Sequence, residues 1–560
     1  VKAQVGGSAP QFPGTDSEGT PSGLRIARIA TAAVLGLTLL AVWLFTDLVY
    51  PAPAYTIKYD PEILYFMNSL AVFKSQPYLY VHHPGTPVEV IGTILFGLLK
   101  ALGSESSDSF WVAQLRRPET FLTLAHGAVT LASVFTICLL VLRGHRIRSR
   151  WDLLLAAGVG VSFFALHPPY SFDSLSFWSH NSFTFGAGTL LLLWVKTVLD
   201  PGRPVPAWQQ TFLGVLAGAL TAVQLYFGAW VVGMAAALSV HSAAVRGKLR
   251  WSVHSLALVA AGATAGFFLA TQSILHQYRE FVWWTKGLIE HQGIFGRGPS
   301  GITSVPRLAD NLRRLWTEGG AVVMLALVLG LALLAWAAVR ERPRWSDQRG
   351  RWSLAAGLAV QLIITMALIA KHPGEIYLLG IASAWPLVWL VGAQVLGSAG
   401  RLGRASVAVI SVILVAGFLR SVSISVSDHV DRVSGVEARQ AEMETFLRTY
   451  AESRGRTTDS MIMVAGFGVP SLCFALRFGD SYAGNAFHAE IEGLCPREGI
   501  YDVWSDMIDV GGERAPLAEH EGWDVLVIPA RFAPAESPGI TRVAGPPGAQ
   551  LEYFVRADLP

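Results

Sequence analysis

IATAAVLGLTLLAVWLFTDL, residues 29–48, is the stretch that decides the fold. Twenty residues of α-helix rise about 30 Å, the thickness of a bilayer's hydrocarbon core, and no charge interrupts this run before Asp47. Arg25 and Arg28 precede it, as basic residues precede the apolar core of a secretory signal. Its length, and the lack of a small-x-small cleavage site before Asp47, predict a retained span instead. Comparable runs recur near 118–142, 151–167, 181–199, 208–225, 227–244, 252–271, 319–339, 353–370, 376–396 and 405–421. With the first, near 26–48, they predict about eleven spans. The split of 208–244 into two rests on a break near Tyr226-Phe227-Gly228.

Composition agrees with that reading. The 560 residues are 52% hydrophobic and 15% charged, and the mean hydropathy is +0.43, more apolar surface than a water-soluble fold of this length hides. The net charge is only +3, and the basic residues gather in short clusters between apolar runs: Arg143/Arg146/Arg148/Arg150, Arg246/Lys248/Arg250, Arg340/Arg342/Arg344/Arg349/Arg351 and Arg401/Arg404. With eleven spans all four clusters fall on one side, which the positive-inside rule makes the cytoplasm. This is not a nucleic-acid surface, and no nucleic-acid partner is expected. Three cysteines without a Cys-x-x-Cys pair or a Cys/His spacing argue against a zinc site and a thioredoxin-like motif.

The expected organisation is a disordered cytoplasmic tail over 1–23, a transmembrane domain over 24–421 with outer loops 49–117 and 272–317, and an outer α/β domain over 422–560. The run from Pro87 to Leu102 is short and carries Glu89 and Lys100; a crossing there would put every later basic cluster outside, so it is expected to lie along the interface. The loop 272–317 holds Arg279, Lys286, Arg297, Arg307, Arg313 and Arg314 on the face where basic residues are scarce, which predicts an anionic ligand. In the tail, Met461–Ala465, Asp524–Pro529 and Leu551–Val555 read as strands, Val469–Phe478 and 436–453 as helices. Cys473 and Cys495 share that oxidising side while Cys138 lies in a span, so a Cys473–Cys495 disulfide is expected.

Ionisable groups collect beside the membrane after the first span. Tyr59-Asp60-Pro61-Glu62-Ile63-Leu64-Tyr65 puts two carboxylates at the start of a helical pattern, and His82-His83-Pro84-Gly85-Thr86-Pro87 puts two imidazoles just before the interfacial helix. Asp at an N-cap, Pro at N1 and acid in the first turn make an ordinary helix opening, so capping accounts for the pair as well as chemistry does. The histidines are adjacent and point apart, so one of them serves as a metal ligand or phosphate donor more easily than both. His167, Asp173, His180, His291 and Lys371-His372-Pro373 sit at span ends of the same face. Shared sidedness, rather than any single residue, points to an outward-facing site.

With these residues in view, the chain resembles the GT-C superfamily of membrane glycosyltransferases, in the branch of protein O-mannosyltransferases, aminoarabinose transferases and lipopolysaccharide-core galacturonosyltransferases. The matching elements are Asp60-Pro61-Glu62-x-x-Tyr65, His83-Pro84-Gly85-Thr86-Pro87, Arg116/Arg117-Pro118 and Lys371-His372-Pro373 with Tyr377-Leu378-Leu379. Pro61 separates two acids that many relatives place side by side. The resemblance implies transfer of a sugar from a polyprenyl-phosphate donor to a hydroxyl of a glycan, lipid or protein, at the periplasmic face of a bacterial inner membrane. A lipid-phosphate leaving group carries its own charge, so one carboxylate base suffices. Asp60 is the expected base, and Glu62 orients the acceptor or a divalent metal, for which His83 is the other candidate ligand. His82, His83, Arg297, Lys371, His372 and Tyr377 are expected around the donor phosphate. The competing classes are a secondary transporter, which would place ionisable groups near the midplane on broken helices in repeated halves, and a non-catalytic subunit of a polysaccharide assembly or export system.

Overall fold

The computed structural model describes residues 22–556 apart from 54–58, 78–84, 104–106, 145–148, 167–176, 200–202, 292–299, 302–304, 341–347, 372–377, 399, 504, 518, 535–538 and 547. Helix α1 (Ser22–Leu44) runs into a π-helical turn (Phe45–Val49), and three shorter helices follow: α2 (Tyr59–Phe73), α3 (Thr86–Leu102) and α4 (Ser107–Arg116). The apolar runs then appear as α5 (Pro118–Arg143), α6 (Arg150–Leu166), α7 (Thr189–Leu199), α8 (Ala207–Val223), α9 (Gly228–Arg246) and α10 (Arg250–Thr271). After α11 (Tyr278–Glu290) and α12 (Val305–Leu315) come α13 (Ala321–Arg340), α14 (Arg349–Lys371), α15 (Leu379–Ser398) and α16 (Arg401–Ser453). Among the described residues nine helical segments are long and apolar enough to cross a membrane. Helices α6 and α10's partner α8, 17 residues each, stand at the lower end of that range.

Gln224 is extended, and a 3₁₀ turn over Leu225–Phe227 separates α8 from α9, so the chain breaks where the sequence suggested. Two close helix pairs show how the bundle holds without a hydrophobic drive between its helices. A Cβ on Gly218 of α8 would sit 1.9 Å from the Ala263 carbonyl oxygen of α10, and one on Gly266 2.0 Å from that of Val215. Small residues spaced by four thus let the two backbones touch. Gly233 of α9 and Gly357 of α14 meet in the same way. Helix α15 is buried on almost every side and forms the centre, whereas Leu37, Val328 and Ile413 stand out toward the surroundings, as side chains facing lipid do.

Two bonds fix the relative direction of the helices. Arg28 Nε donates to the Val141 carbonyl at 2.7 Å, joining the start of α1 to the end of α5. Ser421 Oγ donates to the Phe164 carbonyl at 3.0 Å, joining α16 to the end of α6. Arg143, Arg246, Arg250, Arg340, Arg349 and Arg401 all lie at helix ends.

The expected boundary at 422 falls inside α16, which continues unbroken for 53 residues and spans about 80 Å at 1.5 Å per residue. A span and the helix expected over 436–453 are one element, because no Gly-Pro break lies between them. The domain that follows is a seven-stranded mixed sheet of order β4-β3-β2-β1-β5-β7-β6. Its strands are β1 (Met463–Gly466), β2 (Glu498–Asp502), β3 (Met507–Val510), β4 (Glu513–Pro516), β5 (Val525–Pro529), β6 (Ile540–Val543) and β7 (Leu551–Arg556), with α17 (Leu472–Tyr482) and α18 (His488–Leu494) after β1. The central β1 is parallel to β2 and β5, and the other pairs are antiparallel. Cys473 and Cys495 form a disulfide between the start of α17 and the end of α18, their Cα atoms 5.7 Å apart. Glu442 of α16 accepts bonds from the backbone N–H groups of Gln550 and Leu551 and from the Tyr553 hydroxyl, which ties the sheet to the long helix.

Candidate functional site

Helix α2 is buried from Glu62 to Ala71, including the face of Leu64, Met67, Leu70 and Ala71. It begins at Tyr59, so Asp60 stands inside the first turn rather than at the cap, and Glu62 follows in the same turn. The Asp60 side chain lies outside what the structure describes, as do His82, His83, Arg297, His372 and Tyr377 altogether.

Glu62 is the one predicted acid whose surroundings are described. Its Oε1 accepts the Trp178 backbone N–H at 2.8 Å and lies 2.5 Å from His126 Nε2. The other ring nitrogen, His126 Nδ1, lies 2.5 Å from Asp47 Oδ1, and the Thr46 hydroxyl reaches Asp47 Oδ2 at 2.8 Å. Carboxylates only accept, and a neutral imidazole has one N–H to give. The trio therefore holds one proton more than a neutral imidazole between two carboxylates would. Each contact is a charge-assisted bond, and each fixes its carboxylate in one orientation.

The three residues come from separated parts of the chain. The π-helical turn at the end of α1 presents Asp47, α2 presents Glu62, and α5 presents His126 two turns below its first residues Pro118 and Glu119. Glu119, Leu122, Thr123 and His126 follow helical spacing and line one wall of a solvent-open cleft. Thr46, Asp47, Pro51–Pro53, Glu62 and Phe177 complete that side. The opposite wall is a face of α16 carrying Ser425, His429 and Arg432, and His429 Nε2 is held by the Tyr50 carbonyl at 2.8 Å. One side is rich in carboxylates, and the other carries a guanidinium, an imidazole and a hydroxyl.

Next to this cleft the Tyr65 hydroxyl lies 3.0 Å from His180 Nδ1, and both side chains are buried. Tyr65 lies on α2 one turn beyond Glu62. Lys371 is elsewhere: its ammonium donates to the Ile289 carbonyl at the end of α11, and it does not line the cleft. That contact suits a lysine whose stem lies along apolar surface while its charge seeks polar atoms. Among the described residues no group of three His, Cys, Asp or Glu side chains is arranged to hold a metal ion. Glu62, named as a candidate ligand, is bonded to His126 instead.

Asp47 and His126 escaped the sequence reading. His126 had a usable signal, since an imidazole inside an otherwise apolar span seldom lacks a polar partner. Asp47 lay at the edge of a run and passed as its terminator. Glu89 is fully buried in the first turn of α3, with neither carboxylate oxygen bonded, and burial pushes its carboxyl well above the usual range.

Fold and site define a polytopic α-helical membrane protein with a small α/β domain at its C-terminal end and a carboxylate–imidazole–carboxylate cleft beneath that domain. Neither the known protein families nor the curated proteins provide a match for the chain.

Proposed function

We propose that the chain is an integral membrane glycosyltransferase that moves a sugar from a polyprenyl-phosphate donor to an acceptor hydroxyl at this cleft. The observation that carries the reading is the triad Asp47–His126–Glu62 beside the Asp60-bearing turn, an acidic, partly enclosed cleft at the end of the helical bundle. Asp47 and Glu62 are already tied to His126, so Asp60 is the carboxylate assigned to take the acceptor proton. As that proton moves to Asp60, the acceptor oxygen bonds to the anomeric carbon and the bond from that carbon to the phosphate oxygen breaks. The lipid phosphate departs with the electron pair. Glu62 orients the acceptor through its second carboxylate oxygen, Oε2, and cationic groups of the outer loops, with Arg297 and His372 as candidates, balance the phosphate charge.

With α6 and α8 counted as crossings the bundle has eleven spans, and the basic helix ends face the cytoplasm by the positive-inside rule. The cleft and the sheet domain then face the periplasm of a bacterial inner membrane. A transferase assay with a radiolabelled polyprenyl-phosphate sugar tests the reading: label should pass to an acceptor, and Asp60→Asn should abolish the transfer while leaving expression intact. Failure of wild-type protein to transfer label from any such donor would overturn it.

One observation favours a second reading, proton-coupled transport. His126 sits within an apolar span with a carboxylate on each nitrogen, and π-helical turns interrupt regular helix at Phe45–Val49 and Thr184–Gly188. Proton-driven solute flux in vesicles, without transfer, would support it in place of the enzyme.

A further inference from the structure

We infer that the C-terminal domain acts as the brace that sets the position of the acid-bearing helix α2, with Gly479 as its contact point. The inference rests on the reading of α2 as the catalytic helix, and adds to it a role for the domain. Gly479 lies on α17, and a Cβ there would stand 2.7 Å from Met67 Cγ, 2.8 Å from Ile63 Cγ2 and 3.2 Å from the Ile63 carbonyl oxygen. Only a glycine lets α17 approach α2 this closely. Ile63 follows Glu62 directly, and Met67 is one turn further, so the contact lies within a turn of the site.

The rest of the interface leaves α2 little room to shift. Ile63, Met67 and Leu70 share one buried apolar cluster with Phe474, Ala475 and Phe478 of α17. Just past the end of α2, Lys74 Nζ pairs with Glu490 Oε1 of α18 at 2.6 Å, donates to the Ala486 carbonyl at 3.2 Å and lies over the Phe487 ring. The disulfide fastens α17 to the end of α18, so both contacts belong to one fastened unit. On the other side Glu62 must meet both His126 and the Trp178 N–H. A displacement of α2 that the apolar packing tolerates would still break those bonds, because hydrogen bonds weaken steeply with misalignment and catalytic geometry with misplacements near 1 Å.

The test is Gly479→Ala, alone and with Met67→Ala, in the full-length protein. Two readouts are used: transferase kcat and KM, and hydrogen exchange of the Trp178 amide, which reports Glu62 in place whatever the protein's activity. Gly479→Ala should lower kcat at least tenfold with KM within twofold, and speed Trp178 exchange at least tenfold, while amides of β1 and β5 keep their protection. Removing Met67 Cγ should shrink both effects, the remainder reflecting Ile63 Cγ2 and the Ile63 carbonyl oxygen, which stay in place. If Gly479→Ala leaves exchange at Trp178 unchanged, or if Met67→Ala fails to relieve it, the brace is refuted. Loss of β1 and β5 protection together with Trp178 would also refute it, since the domain would then have unfolded rather than moved α2. An absence of transferase activity in wild type would instead sink only the functional reading.

Discussion

Replacing His126 by alanine is the sharpest probe of the buried triad. The substitution removes two charge-assisted bonds, each worth roughly 1.5–3 kcal/mol, and leaves Asp47 and Glu62 facing one space without the group between them. Glu62 keeps the Trp178 N–H, and Asp47 keeps the Thr46 hydroxyl, so neither acid is stranded completely. Removing one partner of a buried ionic group costs about 3–5 kcal/mol, and that range applies here. Unfolding in mixed micelles by titrated denaturing detergent measures it, with Glu62→Gln and the double variant completing a cycle. The coupling between positions 62 and 126 should be about 1.5 kcal/mol or more, since the amide replaces a charged acceptor by a neutral one. A His126→Ala loss below about 0.5 kcal/mol, or a coupling inside the ~0.5 kcal/mol typical of independent sites, would refute the triad as a bonded unit.

Three further outcomes follow from other buried groups. Burial raises the Glu89 carboxyl, so its contribution to stability is full below the ordinary carboxylate range and is lost as pH rises; Glu89→Gln should be the more stable protein at pH 8 in thermal unfolding, with the gap closing toward pH 4. Asp480 in α17 is raised to about 6, mainly by burial, so its contribution is present below its unfolded value and lost as pH rises through about 6; Asp480→Asn keeps an acceptor for the Phe487 N–H and should gain on wild type as pH rises from about 4 to about 6, with the gap constant above that. Gly218→Leu would drive a side chain into the Ala263 carbonyl and separate α8 from α10, lowering the thermal midpoint, with Gly397→Leu, which meets nothing within 4 Å, as the neutral control.

Runs of apolar residues made most of the bundle legible, because an unbroken twenty-residue stretch has few other uses, and the 3₁₀ break after Gln224 falls beside the Tyr226-Phe227-Gly228 stretch that, with total length, suggested it. The continuity of α16 did not, since residues 422–435 mix Ser, Val, Asp and Arg and show no apolar stripe until Met443 and Phe446 pack on the sheet. Strands β1, β5 and β7 were visible as short apolar runs, whereas β4 and β6 carry exposed polar residues, β3 is four residues long with an Asp at its centre, and all three are held by their neighbours' ladders. At the site, Glu62 announced itself by clustering with Asp60. Asp47 and His126 are 79 residues apart and meet only after α1 and α5 pack, a pairing that spacing cannot express.

The most direct test of the central claim is transfer of labelled sugar from a polyprenyl-phosphate donor by the purified protein in a bilayer, compared between wild type and Asp60→Asn. The account predicts robust transfer by wild type and a loss of at least a hundredfold in the variant, in line with removal of a general base. Transfer by Asp60→Asn at the wild-type rate would contradict it.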